Sequence, residues 1–149
     1  MFFKTAALAA ILCSRLASCQ QTMFGYGELV YTVTVSTTVG GTFGSTGDGI
    51  MSTAFAGLYN QISVSSTTDT AEVTTTADGF LAYVTAVTEA GSFADDDVAL
   101  WGSIISAVSA IDSAAGHYAG AVASIYFENT DDEPADVGTI TYDMDEDVE

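Results

Sequence analysis

The chain has 149 residues, room for one domain, and 48% of them are hydrophobic, enough to build a core. Against 20 Asp and Glu it carries only two Lys and Arg, for a formal net charge of −18. Nucleic acid and anionic membrane surfaces are thereby poor partners, because both are held by cationic side chains.

In chain order, Met1-Phe2-Phe3-Lys4 supplies a short positive region and Thr5 to Leu12 an apolar stretch too short to span a bilayer. Ala17, Ser18 and Cys19 then provide the small residues of a cleavage site. The expectation is an export signal over 1–19 that leaves Gln20 first, and so a secreted, extracellular or cell-surface protein. Leu16-Ala17-Ser18-Cys19 also resembles a bacterial lipobox, which would keep Cys19 as a lipid anchor. Arg15 sits where such signals are usually apolar, so ordinary secretion is preferred.

Lys4 and Arg15 both fall in the signal, and every acidic residue lies after it. Its removal leaves a formal charge of about −20, with His117 the one side chain able to become positive. Crowded carboxylates repel each other most in the compact state, which raises their average pKa on folding. The native state then binds extra protons, so the fold should prefer acidic, salty or divalent-rich surroundings. Cys13 and Cys19 are also lost with the signal, so a cleaved chain forms no disulfide.

A single acidic domain is expected over 20–142. Residues 28–39 alternate, with Leu29, Tyr31, Val33 and Val35 on one face and Thr32, Thr34 and Ser36 on the other, as in a strand with one wet side. Gly40, Gly41, Gly44, Gly47 and Gly49 follow. The run lies between a strand and a helix, as phosphate loops do, but it lacks the dinucleotide spacing and the P-loop lysine. It reads as a connector. Ile50, Met51, Ala54, Phe55, Leu58 and Ile62 share one helical face, with Asp48 as cap.

After a polar loop at 65–69, the stretches 71–76 and 80–87 form a hairpin about Ala77-Asp78-Gly79. Asp95, Asp96 and Asp97 open a second helix, with Val98, Trp101, Ile104, Ile105, Val108, Ile111 and Ala115 as its stripe and Gly116 as its stop. Residues 117–127 read as a buried strand, 128–136 as an acidic loop, 138–142 as a short strand and 143–149 as an acidic disordered tail. The order β-α-β-β-α-β plus one strand predicts an α+β fold. Its form would be a ferredoxin-like split βαβ sandwich, an antiparallel sheet with two helices on one face.

No catalytic residue stands out. His117 lacks a nucleophile-elbow serine or further zinc ligands, and at a helix end it is suited to satisfying carbonyls. Carboxylates are numerous, so a pair acting as acid and base in a hydrolase is an alternative, although nothing singles out two of them. No cofactor is expected beyond weakly bound calcium, for which Asp95, Asp96, Asp97, Asp131, Asp132, Glu133 and Asp136 are the candidate oxygen ligands. Asp143-x-Asp145-x-Asp147 begins like an EF-hand loop, but Val148 stands in the turn-glycine position.

The function expected is that of a secreted, non-enzymatic interaction or structural protein of the cell surface, wall or extracellular matrix. Its partners would be extracellular proteins or glycans, with self-assembly through the Thr-rich strands. An acid-pH hydrolase and a small secreted effector are the alternatives.

Overall fold

The alternation that begins at Leu29 sets the architecture. One face of that strand is apolar and must be covered, and the other tolerates water. The computed structural model describes residues 19–44, 48–77, 79–128 and 135–146. Within them run β1 (Cys19–Tyr26), β2 (Leu29–Thr42), α1 (Asp48–Val64), β3 (Thr70–Ala77), β4 (Phe80–Thr88), α2 (Phe93–Asp96), α3 (Val98–Ala115), β5 (Tyr118–Glu128) and β6 (Ala135–Glu146). The fold is α+β: a six-stranded antiparallel sheet of order β1-β2-β5-β6-β4-β3, with three helices.

Val33, Val35, Ala123, Ile125, Ile140, Tyr142, Val84 and Ala86 project from the sheet into one core. Met51, Phe55, Leu58 and Ile62 of α1 and Trp101, Ile104 and Val108 of α3 meet them there. Each such side chain contributes roughly 1.5–3 kcal/mol on full burial. Rings lock the layers together: Phe55 meets Tyr142 edge-on at 5.2 Å, and Phe93 of α2 meets Trp101 at 5.1 Å. Beneath Trp101 the sheet has no room for a side chain, because a Cβ on Gly138 would lie 3.0 Å from the indole and 2.2 Å from the Val87 carbonyl oxygen.

The structure corrects the predicted topology. In a ferredoxin-like sandwich the two split βαβ units interlock, each enclosing a strand of the other. Here they are nested: β4-α3-β5 encloses only β6, and β2-α1-β3 encloses β5, β6 and β4. The strand left over in the sequence reading, β6, fills the sheet centre.

Three boundaries also move. β1 was not expected, since its core side mixes Gln20 and Thr22 with Phe24 and Tyr26 and so breaks the apolar pattern. β6 continues to Glu146, so residues 143–146 are strand rather than tail, with Met144 buried and Asp143 and Asp145 on the outer face. The Asp-led helix is interrupted at Asp97, which closes α2 and caps α3. Cys19 opens β1 opposite Ser36 and is disulfide-bonded in the full chain, so the disulfide-free domain expected above applies to a chain cut after Cys19.

Candidate functional site

The first candidate is the aspartate run before α3. Its three carboxylates do different things. Ser92 caps α2 by accepting the Asp95 N–H at 3.2 Å, and Asp95 itself is exposed. Asp96 turns inward, where its Oδ2 accepts the Trp101 indole N–H at 2.9 Å and the Thr88 hydroxyl. Asp97 accepts the Ala99 N–H on Oδ1 at 3.0 Å, as an N-cap should, and the Tyr26 hydroxyl on Oδ2 at 2.7 Å. The Tyr26 bond, and after it the Ala99 N–H, hold the Asp97 carboxyl below its ordinary value, while the same bond raises Tyr26. Two of the three acids are therefore engaged in the fold.

Of the other calcium candidates, Asp136 is exposed opposite Tyr126 at the same end of the sheet, and Asp131, Asp132 and Glu133 lie outside the described residues. Among the described residues no three His, Cys, Asp or Glu side chains converge on a point where a metal ion would sit.

The second candidate is the lone histidine. Gly116 ends α3 in the left-handed conformation and His117 follows at φ +63°, unusual for a residue with a side chain. Asp112, one turn back and 1% exposed, holds this turn. Its Oδ2 lies 2.8 Å from His117 Nδ1, its Oδ1 accepts the Tyr118 N–H at 2.9 Å, and its backbone oxygen accepts the His117 N–H. The Tyr142 hydroxyl is buried beside this carboxylate, and burial first, then Asp112, pushes its pKa far up. Phe43 and Gly44 of the glycine link donate their N–H groups to the His117 and Gly116 carbonyls. The cluster thus fastens a helix end, a strand start and the connector together.

The third candidate is a surface, and it was missed by reading elements one at a time. Charge is sorted to the two ends of the sheet. Glu28, Asp69, Glu89, Asp95, Asp96, Asp97 and Asp136 lie at the end holding the β1–β2 turn, and Asp143 and Asp145 at the other. Between the ends, among the described residues, only Glu72 on edge strand β3 and the buried Asp112 carry charge. The middle of the sheet face away from the helices instead carries Thr and Ser, interspersed with apolar side chains such as Val122 and Val87. Thr34, Ser124, Thr139 and Val87 form one cross-strand row, and Ser36, Val122, Thr141, Thr85 and Glu72 the next. Ser124 and Thr141 at its middle are exposed, whereas Thr32 and Thr34 are packed beneath Met23, Gln21 and Tyr126. Asp143 closes this face at one end, its carboxyl raised by burial and by neighbouring Asp145.

The outer side of the helix layer is also uncharged. A shallow groove of about 1080 Å³ passes over α1 and α3 between Ser52, Ala56, Tyr59, Gly102, Ser106 and Ala110, and a smaller one separates α3 from β1. No carboxylate lines either. Among the described residues α3 is the one helix long and apolar enough to cross a membrane, and its Leu100, Trp101, Ile104, Ile105 and Val108 are spent in the core.

The molecule is therefore an α+β sandwich with acidic ends, a small-residue helix face and a hydroxyl-bearing sheet face. No known protein family matches the chain, and neither a curated protein nor a solved structure is similar to it.

Proposed function

We propose that this is a secreted, non-enzymatic interaction or structural protein of the cell surface, wall or extracellular matrix, and that its open sheet face is the contact surface. The observation that carries the reading is the sorting of charge. Among the described residues, the middle of the sheet face is formed by Thr and Ser between uncharged neighbours, with Glu72 at its edge strand and Asp143 and Asp145 toward one end. Such a face can exchange hydrogen bonds with a neutral, hydroxyl-rich partner, while the acidic ends repel anionic ones. Neutral glycans, or protein surfaces rich in hydroxyls, are the partners of that chemistry. Calcium belongs to this reading only as a loosely held counterion at the acidic ends.

The alternative, an acid-pH hydrolase, has one specific observation behind it. Asp143, with its raised carboxyl, sits two residues from Asp145 on the same face of β6. That pair lies on open sheet rather than in either groove, where a substrate would be enclosed.

The test is co-sedimentation of the secreted chain, its N-terminus fixed by mass spectrometry, with insoluble neutral polysaccharide and with an anionic one. Binding to the neutral polymer, unaffected by salt and abolished by Ser124→Glu with Thr141→Glu but not by Ser106→Glu, is the expected result. Equal loss with Ser106→Glu would move the contact to the helix groove. No binding to any neutral polymer, with hydrolysis that Asp143→Asn removes, would establish the alternative.

A further inference from the structure

We infer that β3 is a docking edge for a second copy of this chain, which pairs with it antiparallel about a twofold axis at Thr74. This goes beyond the reading above and does not depend on it.

Among the described residues β3 hydrogen-bonds to β4 alone, so its other side is a sheet edge of backbone N–H and C=O groups. Exposed sheet edges are normally guarded by lysine, proline or a bulge. β3, Thr-Ala-Glu-Val-Thr-Thr-Thr-Ala, has none of these, and its eight residues pair with β4 without a register shift. β1 is a less suitable edge, since α3 overhangs it and the smaller groove opens beside it.

The strand is close to self-complementary. Side chains on the same face of a joined sheet must oppose each other, so only alternate registers keep both helix layers on one side. Centred on Thr74, Ala71 meets Ala77, Glu72 meets Thr76, Val73 meets Thr75, and Thr74 meets itself. The two Glu72 carboxylates then lie four residues apart along the strand, about 14 Å, beyond the Debye length of about 8 Å at physiological salt. Centred on Val73 instead, they would be two residues apart, about 7 Å, and would repel. On the helix side, half-buried Val73 sits against Gly57 of α1, and pairing with Thr75 of a second copy would cover it further. The flanking α1 brings Thr53, Asn60 and Gln61, all uncharged and exposed. Glu72 is thus the one charged side chain on the whole edge strand, in a molecule that elsewhere concentrates its acids.

The association is weak at low salt, since each copy carries the full negative charge, and tightens as salt screens the ends. Sedimentation of the full chain in about 0.5 M NaCl should show a concentration-dependent dimer with a dissociation constant at or below about 100 μM. Thr74→Asp, which sets two carboxylates directly opposite, should raise that constant at least tenfold while leaving the circular dichroism unchanged. Under mild oxidation Thr74→Cys should cross-link to a dimer, because directly opposed Cβ atoms stand within reach of a disulfide, and Thr76→Cys, which faces Glu72, should not. The unsubstituted chain provides the blank for its own cysteines. A monomer at about 1 mM in high salt, a dimer indifferent to Thr74→Asp, or cross-linking through Thr76→Cys alone would each overturn the inference.

Discussion

At the scale of single residues, Gly138 has the least room for a side chain of the described glycines. A β-carbon there would meet the Val87 carbonyl oxygen at 2.2 Å, and that atom is backbone, fixed by the β4–β6 ladder. The ring of Trp101 presses from above and cannot retreat, because its N–H is tied to Asp96 and its face to Phe93. Gly138→Ala should therefore cost on the order of 1–3 kcal/mol, as overpacking in a closed core does. Thermal unfolding of the variant checks this, and an unchanged midpoint would mean the strands separate more readily than the ladder suggests. Gly102 forms a contrast. Its Cβ would touch the ring of Tyr59 at 2.9 Å, but Tyr59 is 40% exposed and free to swing outward.

At the scale of elements, the join between α2 and α3 tests how a local conflict is resolved. Asp97 stands at φ +86°, a conformation that suits glycine, and is kept there because its carboxylate caps α3 and receives the Tyr26 hydroxyl. Asp97→Gly gives up both bonds and relieves the backbone, whereas Asp97→Ala gives up both and keeps the strain. The alanine variant should unfold at a lower temperature than the glycine one, with the parent chain above both at neutral pH. The Asp97 carboxyl is held below its ordinary value of 3.8, so its stabilisation is present above that value and disappears as pH falls through the lowered one. In strong acid the parent should accordingly lose its lead and fall toward the alanine variant, while the gap between glycine and alanine, a backbone effect, persists.

The same elements show what the sequence made legible. β2, α1, the β3–β4 hairpin and α3 announced themselves through period and caps, because each has one face against a single core. β1 did not, since two of its core-side residues are Gln20 and Thr22, which satisfy themselves at a sheet edge rather than by burial. Only the end of β6, beyond Tyr142, looked like tail, and for the opposite reason. Its outward residues there, Asp143 and Asp145, are acids, which read as disorder until Met144 between them is seen to be buried. Strand order was beyond reach, because placing β6 between β5 and β4 is a long-range choice that no local pattern records. The hydroxyl face was half visible in Thr32, Thr34 and Ser36, but its continuation across Ser124, Thr141 and Thr85 depends on that order.

At the scale of the whole molecule, charge decides the conditions under which the fold is most stable. Among the described residues most acids are gathered at two ends, and no lysine or arginine follows residue 15, so each end repels itself with no such cation beside it. Asp143 shows the sign. Burial and Asp145 raise its carboxyl above the ordinary 3.8, so the stability it confers by taking up a proton is complete below that value and is lost as pH rises through the raised one. Asp97 acts in the reverse sense but only in stronger acid, which leaves moderately acidic solution as the optimum. The melting temperature at low salt should consequently be higher near pH 4.5 than near pH 8, and about 0.5 M NaCl at pH 8 should recover much of the difference by screening. Asp143→Asn should raise the midpoint at pH 8 and leave it nearly unchanged in acid, narrowing the gap from one side. Calcium chloride at the ionic strength of the sodium salt separates two sources of relief. Equal recovery marks diffuse screening of the ends, and recovery at millimolar calcium marks ions held by particular carboxylates. A midpoint at pH 8 equal to or above that at pH 4.5 would show that the ends are too far apart, or too well hydrated, for their repulsion to govern the fold.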